Sequence, residues 1–184
     1  DYAIREDYQL ITKDSFSAEI PKWVQTVNEK QIFIEEGAVL NPCILNASQG
    51  PIYIGREAVV LDGAMIRGPF SLGEKSIVKM GSKIYGATTI GPNCKVGGEV
   101  KNSIMFANSN KGHEGYLGNS VVGEWCNFGA DSNVSNLKNT YSNVSVWCYE
   151  NEIYQKTKQL YCGLIMGDHS KTSINTMFNT GTVV

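Results

Sequence analysis

The sequence predicts an all-β chain wound as a parallel β-helix, and three observations carry that reading. Every sixth residue is aliphatic from Ile54 through Val60, Ile66, Leu72, Val78, Ile84 and Ile90 to Val96. Four residues after these come Ala58, Ala64, Phe70, Ser76, Ser82, Thr88 and Cys94, all small apart from Phe70. Gly55, Gly73 and Gly91 each directly follow an aliphatic and recur at a longer period of 18 residues. Three hexads therefore make one coil of triangular section, with one short strand per side. The aliphatics stack inward, the small residues fit the tight corners, and hydrogen bonds join coils about 4.8 Å apart. An antiparallel sheet has period 2 and would not single out every sixth residue.

The pattern extends to both sides. Ile34 and Leu40, with Ala38 four after Ile34, predict an earlier coil, and residues 47–51 contain a two-residue slip. Downstream, Val122, Phe128 and Val134 repeat with Cys126 and Ser132 in the small positions. Met166, Thr172, Phe178 and Val184 make a last set. Residues 102–116 and 136–162 break the hexad and are polar, so both are expected to leave the coil as loops; insertions in a solenoid gather on one face, which is usually the binding face. Residues 1–31 lack the hexad and read as a linker, with a short helix over residues 2–12 packed on the first coil. The β-helix domain is expected over residues 32–184. A start at Asp1 and a stop in mid-repeat at Val184 read as a fragment, preceded by another segment and followed by at least one more coil.

Composition narrows the function. A length of 184 residues suits one domain, and a net charge of -2 without a Lys/Arg cluster argues against nucleic acid as a partner. No apolar run approaches the roughly 18 residues of a membrane span, and no signal peptide opens the chain. The five cysteines include no CxxC pair and read as free thiols in a reducing compartment, the cytoplasm.

The chain has only two histidines. His113 lies in a polar, glycine-containing stretch with no apolar face to receive it, which points to function. His169 reads as a solvated residue at a coil corner. A zinc site of three clustered histidines cannot be assembled from two that lie 56 residues apart, and no P-loop pattern is present. The other polar candidates are Lys83, Glu99, Lys101, Tyr116, Asn127 and Asn136. Lys83 and Lys101 are 18 residues apart and are expected to stack on successive coils, where an anion such as phosphate would relieve their repulsion.

The strings GEVK (98–101), KGHEGYLG (111–118), GEWCN (123–127) and NVSN (133–136) resemble one family. They are similar to the C-terminal acetyltransferase domain of bifunctional glucosamine-1-phosphate N-acetyltransferase/N-acetylglucosamine-1-phosphate uridyltransferases. IYGATTIG (84–91) and MGDHSK (166–171) resemble its alternate, Bacteroidetes-type branch. The hexads are common to many acyltransferases, whereas GHxxYLG with its upstream EVK is far more specific.

The resemblance implies a left-handed coil, a homotrimer and an acetyl-CoA site between subunits. It also implies a preceding sugar nucleotidyltransferase domain, the only place where Mg would be expected. His113 would be the general base toward the glucosamine amine, with no metal in this domain, and Glu99 would orient it. Lys83, Lys101 and Tyr116 would hold the sugar phosphate. Asn127 and Asn136 would line the sugar and its amine, and Asn136 and Ser173 would face acetyl-CoA. Lys83 departs from the family's arginine, so bidentate phosphate binding is lost. Ile174 replaces a serine that contacts acetyl-CoA, and Leu137 replaces an aromatic. These departures motivate a rival reading, a catalytically silent trimerisation or regulatory domain of a sugar-1-phosphate nucleotidyltransferase.

Overall fold

A computed structural model describes all residues from Asp1 to Val184. The chain is a left-handed parallel β-helix whose strands, two or three residues each, stack into three faces. Face A has six strands, running from Gln25–Val27 to Tyr116–Gly118. Face B has seven, from Ile32–Ile34 to Ile165–Met166, and face C has five, from Val39–Leu40 to Asn110–Lys111. The first rung of face A thus lies ahead of the residue-32 boundary drawn from the hexads.

The strands are short because only the middle of each side can be extended; the corners must turn. Most coils carry residues with positive φ there, many of them Asn or Gly, for which the left-handed conformation costs least. His169 is such a corner residue, as its turn-like surroundings suggest, and its ring lies parallel to that of Trp125 one coil above.

Inside, each face contributes one column of apolar side chains. Ile34, Ile54, Leu72, Ile90, Met105, Val122 and Met166 stack along face B, all buried. The small residues at the corners are often polar for a structural reason. The Ser76 hydroxyl donates to the Gly91 carbonyl and accepts from the Cys94 amide, and Ser109 does the same for Gly123 and Cys126. Each hydroxyl joins one coil to the next where the backbone ladder is interrupted by the turn. All five cysteines are free, with Cys43, Cys94 and Cys126 buried.

Two expectations need correction. Residues 102–116 do not leave the coil. Ile104–Met105 and Asn110–Lys111 are ordinary rungs of faces B and C, with Met105 and Lys111 pointing inward. The hexad is lost because corners have shortened: Gly97 and Gly98 take the place that Lys79, Met80, Gly81 and Ser82 fill one coil above. The second correction concerns Tyr2–Thr12, which is helical (α1) but does not sit on the first coil. Its residues Ile4, Asp7, Tyr8 and Ile11 face Tyr53, Ser71 and Thr89, outward side chains on successive rungs of face B.

The second polar stretch does leave the coil. Ser145–Cys148 pairs antiparallel with Ile153–Lys156, and the excursion closes at a Leu137–Tyr161 bridge. Ile165–Met166 then resumes face B directly against Val121–Val122. No helix is long and apolar enough to cross a membrane.

Ile90 sits in the middle of the face B column with 1% of its surface exposed. Ile90→Ala is expected to cost about 2–5 kcal/mol in urea unfolding of the protein. A loss below about 1 kcal/mol would show that this column does not carry the stability assigned to it.

Candidate active site

The shortened corners determine which side chains meet. Because the Gly97 and Gly98 corner is brief, Lys83 lies in register with Glu99, not with Lys101, and Glu99 in turn pairs with Tyr116. The expected lysine stack on successive coils is therefore corrected: the spacing of 18 residues that supported it gives way here to coils of 16 and 17. Lys83, Glu99 and Tyr116 instead form one outward column on face A. Lys101 stays on face A but is displaced two residues along its strand, in register with Gly118.

His113 stands at the corner where faces C and A meet, between Asn110–Lys111 and Tyr116–Gly118, and is exposed. Its corner is packed tightly beneath the one above. A Cβ on Gly98 would lie 2.9 Å from the His113 carbonyl oxygen, and one on Gly97 would lie 2.6 Å from that of Gly112. Gly98 also has φ of +72°, so glycine is required there by both space and conformation. The Lys83 ammonium lies 3.6 Å from the Glu114 carboxylate, an exposed pair beside His113 that an anionic ligand can displace at little cost.

Asn136 is tied into this site. Its side-chain amide donates to the Tyr116 hydroxyl at 3.0 Å and to Asn119 Oδ1 at 2.7 Å. Burial pushes the Tyr116 phenol up, so it stays protonated and able to donate at neutral pH. Asn127 lies on face C one coil below Asn110, whose Nδ2 donates to its Oδ1 at 2.8 Å. Ser173 is exposed on the last turn between faces C and A, and its carbonyl accepts from Thr176. Neighbouring Ile174 is exposed too. The structure thus joins Tyr116 with Asn136 and aligns Lys83, Glu99 and Tyr116. It leaves Lys101, Asn127 and Ser173 at separate positions on the coil surface.

Sequence reasoning missed Lys111, the one charged side chain among the buried residues. Its Nζ donates to the carbonyl oxygens of Gly97 at 2.9 Å and His113 at 2.7 Å. Asn110, Asn119 and Asn133 were missed as well; Asn133 Oδ1 accepts from the Tyr116 amide. A period of 17 residues would have found them. Glu99, Tyr116 and Asn133 repeat at that interval, as do Val100, Leu117 and Val134, Asn110 and Asn127, and Asn119 and Asn136.

Burial lowers the Lys111 ammonium to about 8, against the opposing influence of Glu114 and Asp131. The unfolded chain, where this group titrates near 10.5, therefore binds more protons between those two values, and stability rises with pH across them. The stability difference between wild-type protein and Lys111→Met is expected to move toward the wild type by on the order of 3 kcal/mol from about pH 8 to 10.5. A difference that stays flat over that window would contradict the buried charge.

No protein-family model matches the chain. The bifunctional protein GlmU of Methanocaldococcus jannaschii is 37% identical over 86 residues, which cover 47% of this chain and 20% of that protein. The GlmU of Methanococcus aeolicus is 35% identical over 83 residues, 45% of this chain and 20% of that one. A bifunctional sugar-1-phosphate nucleotidylyltransferase/acetyltransferase of Sulfurisphaera tokodaii is 35% identical over 77 residues, 42% and 19% of the two chains. The matches span about a fifth of the length of these curated relatives. Over that stretch the chain is a homologue of bifunctional sugar-1-phosphate nucleotidyltransferase/acetyltransferases of the GlmU kind.

Proposed function

We propose that the protein is an acetyl-CoA-dependent N-acetyltransferase acting on glucosamine 1-phosphate for nucleotide-sugar synthesis. The observation that carries this reading is the exposed His113 at the edge of the outward column Lys83, Glu99 and Tyr116. An imidazole beside a cation, a carboxylate and a phenol is the set required to deprotonate an amine on an anionic sugar.

In the reaction, the sugar amine attacks the thioester carbonyl carbon. A C–N bond forms as the C–S bond breaks, His113 takes the proton from nitrogen, and coenzyme A departs as a thiolate that is then protonated. Glu99 stabilises the positive charge arriving on the imidazole. Lys83, released from Glu114, meets the phosphate together with Lys101. Tyr116, fixed by Asn136, donates to the sugar phosphate, while Asn127 lines the sugar from face C. Acetyl-CoA lies along the lower coils near Asn136 and Ser173.

A homotrimer belongs to this proposal. Val27, Ile44, Met65 and Tyr85 leave apolar surface exposed on face A. A groove of about 350 Å³ there, lined by Ile44, Met65, Arg67, Lys83 and Tyr85, extends from this apolar surface to the candidate site. A second copy on this face would cover that surface and bring its own side chains to the site.

Full-length protein is expected to release thiol from acetyl-CoA only when glucosamine 1-phosphate is supplied. His113→Ala is expected to slow this at least about 100-fold. An unchanged rate in that variant would overturn the assignment. No acetyl-CoA binding, with nucleotidyl transfer intact, would favour the silent trimerisation domain that Lys83 and Ile174 motivate.

A further inference from the structure

Lys111 occupies a place where the fold asks for an aliphatic residue. Its column on face C reads Leu40, Val60, Val78, Val96, Lys111, Phe128, so a cation stands between valine and phenylalanine with 2% of its surface exposed. Any of the neighbouring residue types would fill this rung without burying a charge, and burying one is costly unless it is well bonded. The fold therefore does not require this lysine; the column is complete without it.

What the lysine does contribute is local. Its ammonium joins two successive corners, through the Gly97 carbonyl on one coil and the His113 carbonyl on the next. Glycine surrounds that junction, at Gly97, Gly98, Gly112 and Gly115, so these four positions bring no side chain of their own to fix the backbone. Gly115 has φ of +121°, well away from the usual left-handed turn. The Glu114 carbonyl accepts from the Asp131 amide, which ties down the far side of the corner but not His113 itself. His113 points to solvent and is held from behind.

We propose that Lys111 is a positioning residue for His113, its core-buried ammonium clamping the His113 and Gly97 carbonyls so that the imidazole stands in one place. The catalytic part of this inference rests on the reading of His113 as the general base; the clamp itself does not.

Lys111→Met keeps the length of the side chain and removes its charge and its donors, and Lys111→Leu repeats the residue found at position 40 of the same column. Both are expected to fold with an unchanged or raised Tm, because the buried charge is gone. In the acetyl-transfer assay kcat is expected to fall at least tenfold, while KM for both substrates stays within about twofold. NMR of the imidazoles supplies the second readout, and with two histidines it is simple to interpret. The His113 resonance is expected to shift or broaden in both variants, while His169, at another corner beside Trp125, serves as the unaltered reference.

An unaltered His113 resonance in a folded variant would overturn the proposal, whether or not the protein transfers acetyl groups. A moved resonance with unchanged kcat would overturn the catalytic part. Failure of both variants to fold would overturn it too, since the ammonium would then support the fold and not the corner. A wild-type protein without acetyl transfer would instead refute the functional reading, and the resonance alone would decide the clamp.

Discussion

The stacking of one coil on the next governs the rest of this structure. A strand of two or three residues cannot satisfy its own backbone; its amides and carbonyls pair only with the coils above and below. Register between coils is therefore fixed, and with it the identity of every column, inward and outward. Chain length within a coil is less constrained, because corners absorb insertions and deletions. The coil tolerates a two-residue shortening at Gly97 and Gly98 and a long excursion after Asn136 without disturbing the columns.

That difference between rigid columns and elastic corners explains how a uniform scaffold acquires a chemically distinct site. Shortened corners, at Gly97 and Gly98 and again between Val100 and Met105, bring Glu99 under Lys83 and Tyr116 under Glu99, so three different polar groups replace the apolar outward residues Ile44 and Met65 of earlier rungs. The same region carries the only charged residue of the interior. Burial costs Lys111 part of its preference for the protonated form, and two carbonyl acceptors offset that cost. Stability is conceded where the backbone has to hold one exposed histidine.

Much of the coil was legible in the sequence because Ile54 to Val96 keep a strict interval of six, and Val122, Phe128 and Val134 resume it. The helix over residues 2–12 was legible too, but its seat was not, since Tyr53, Ser71 and Thr89 come together only once the rungs stack. Residues 102–116 were misread for a physical reason. A fixed interval of six cannot follow a corner that has lost residues, and a lysine at an inward position erases the apolar mark that would have signalled the rung. His113, Glu99, Tyr116 and Asn136 stand out as candidates by residue type and resemblance. Their arrangement, with Lys83 above Glu99 and Asn136 on Tyr116, needed the register of 17.

The measurement that tests the account most directly is a crystal structure of the protein with glucosamine 1-phosphate and coenzyme A. The sugar phosphate is expected along the column of Lys83, Glu99 and Tyr116, with Lys83 turned from Glu114 to the phosphate and the amine facing His113. A ligand bound elsewhere on the coil, with the Lys83–Glu114 pair intact and His113 untouched, would contradict it.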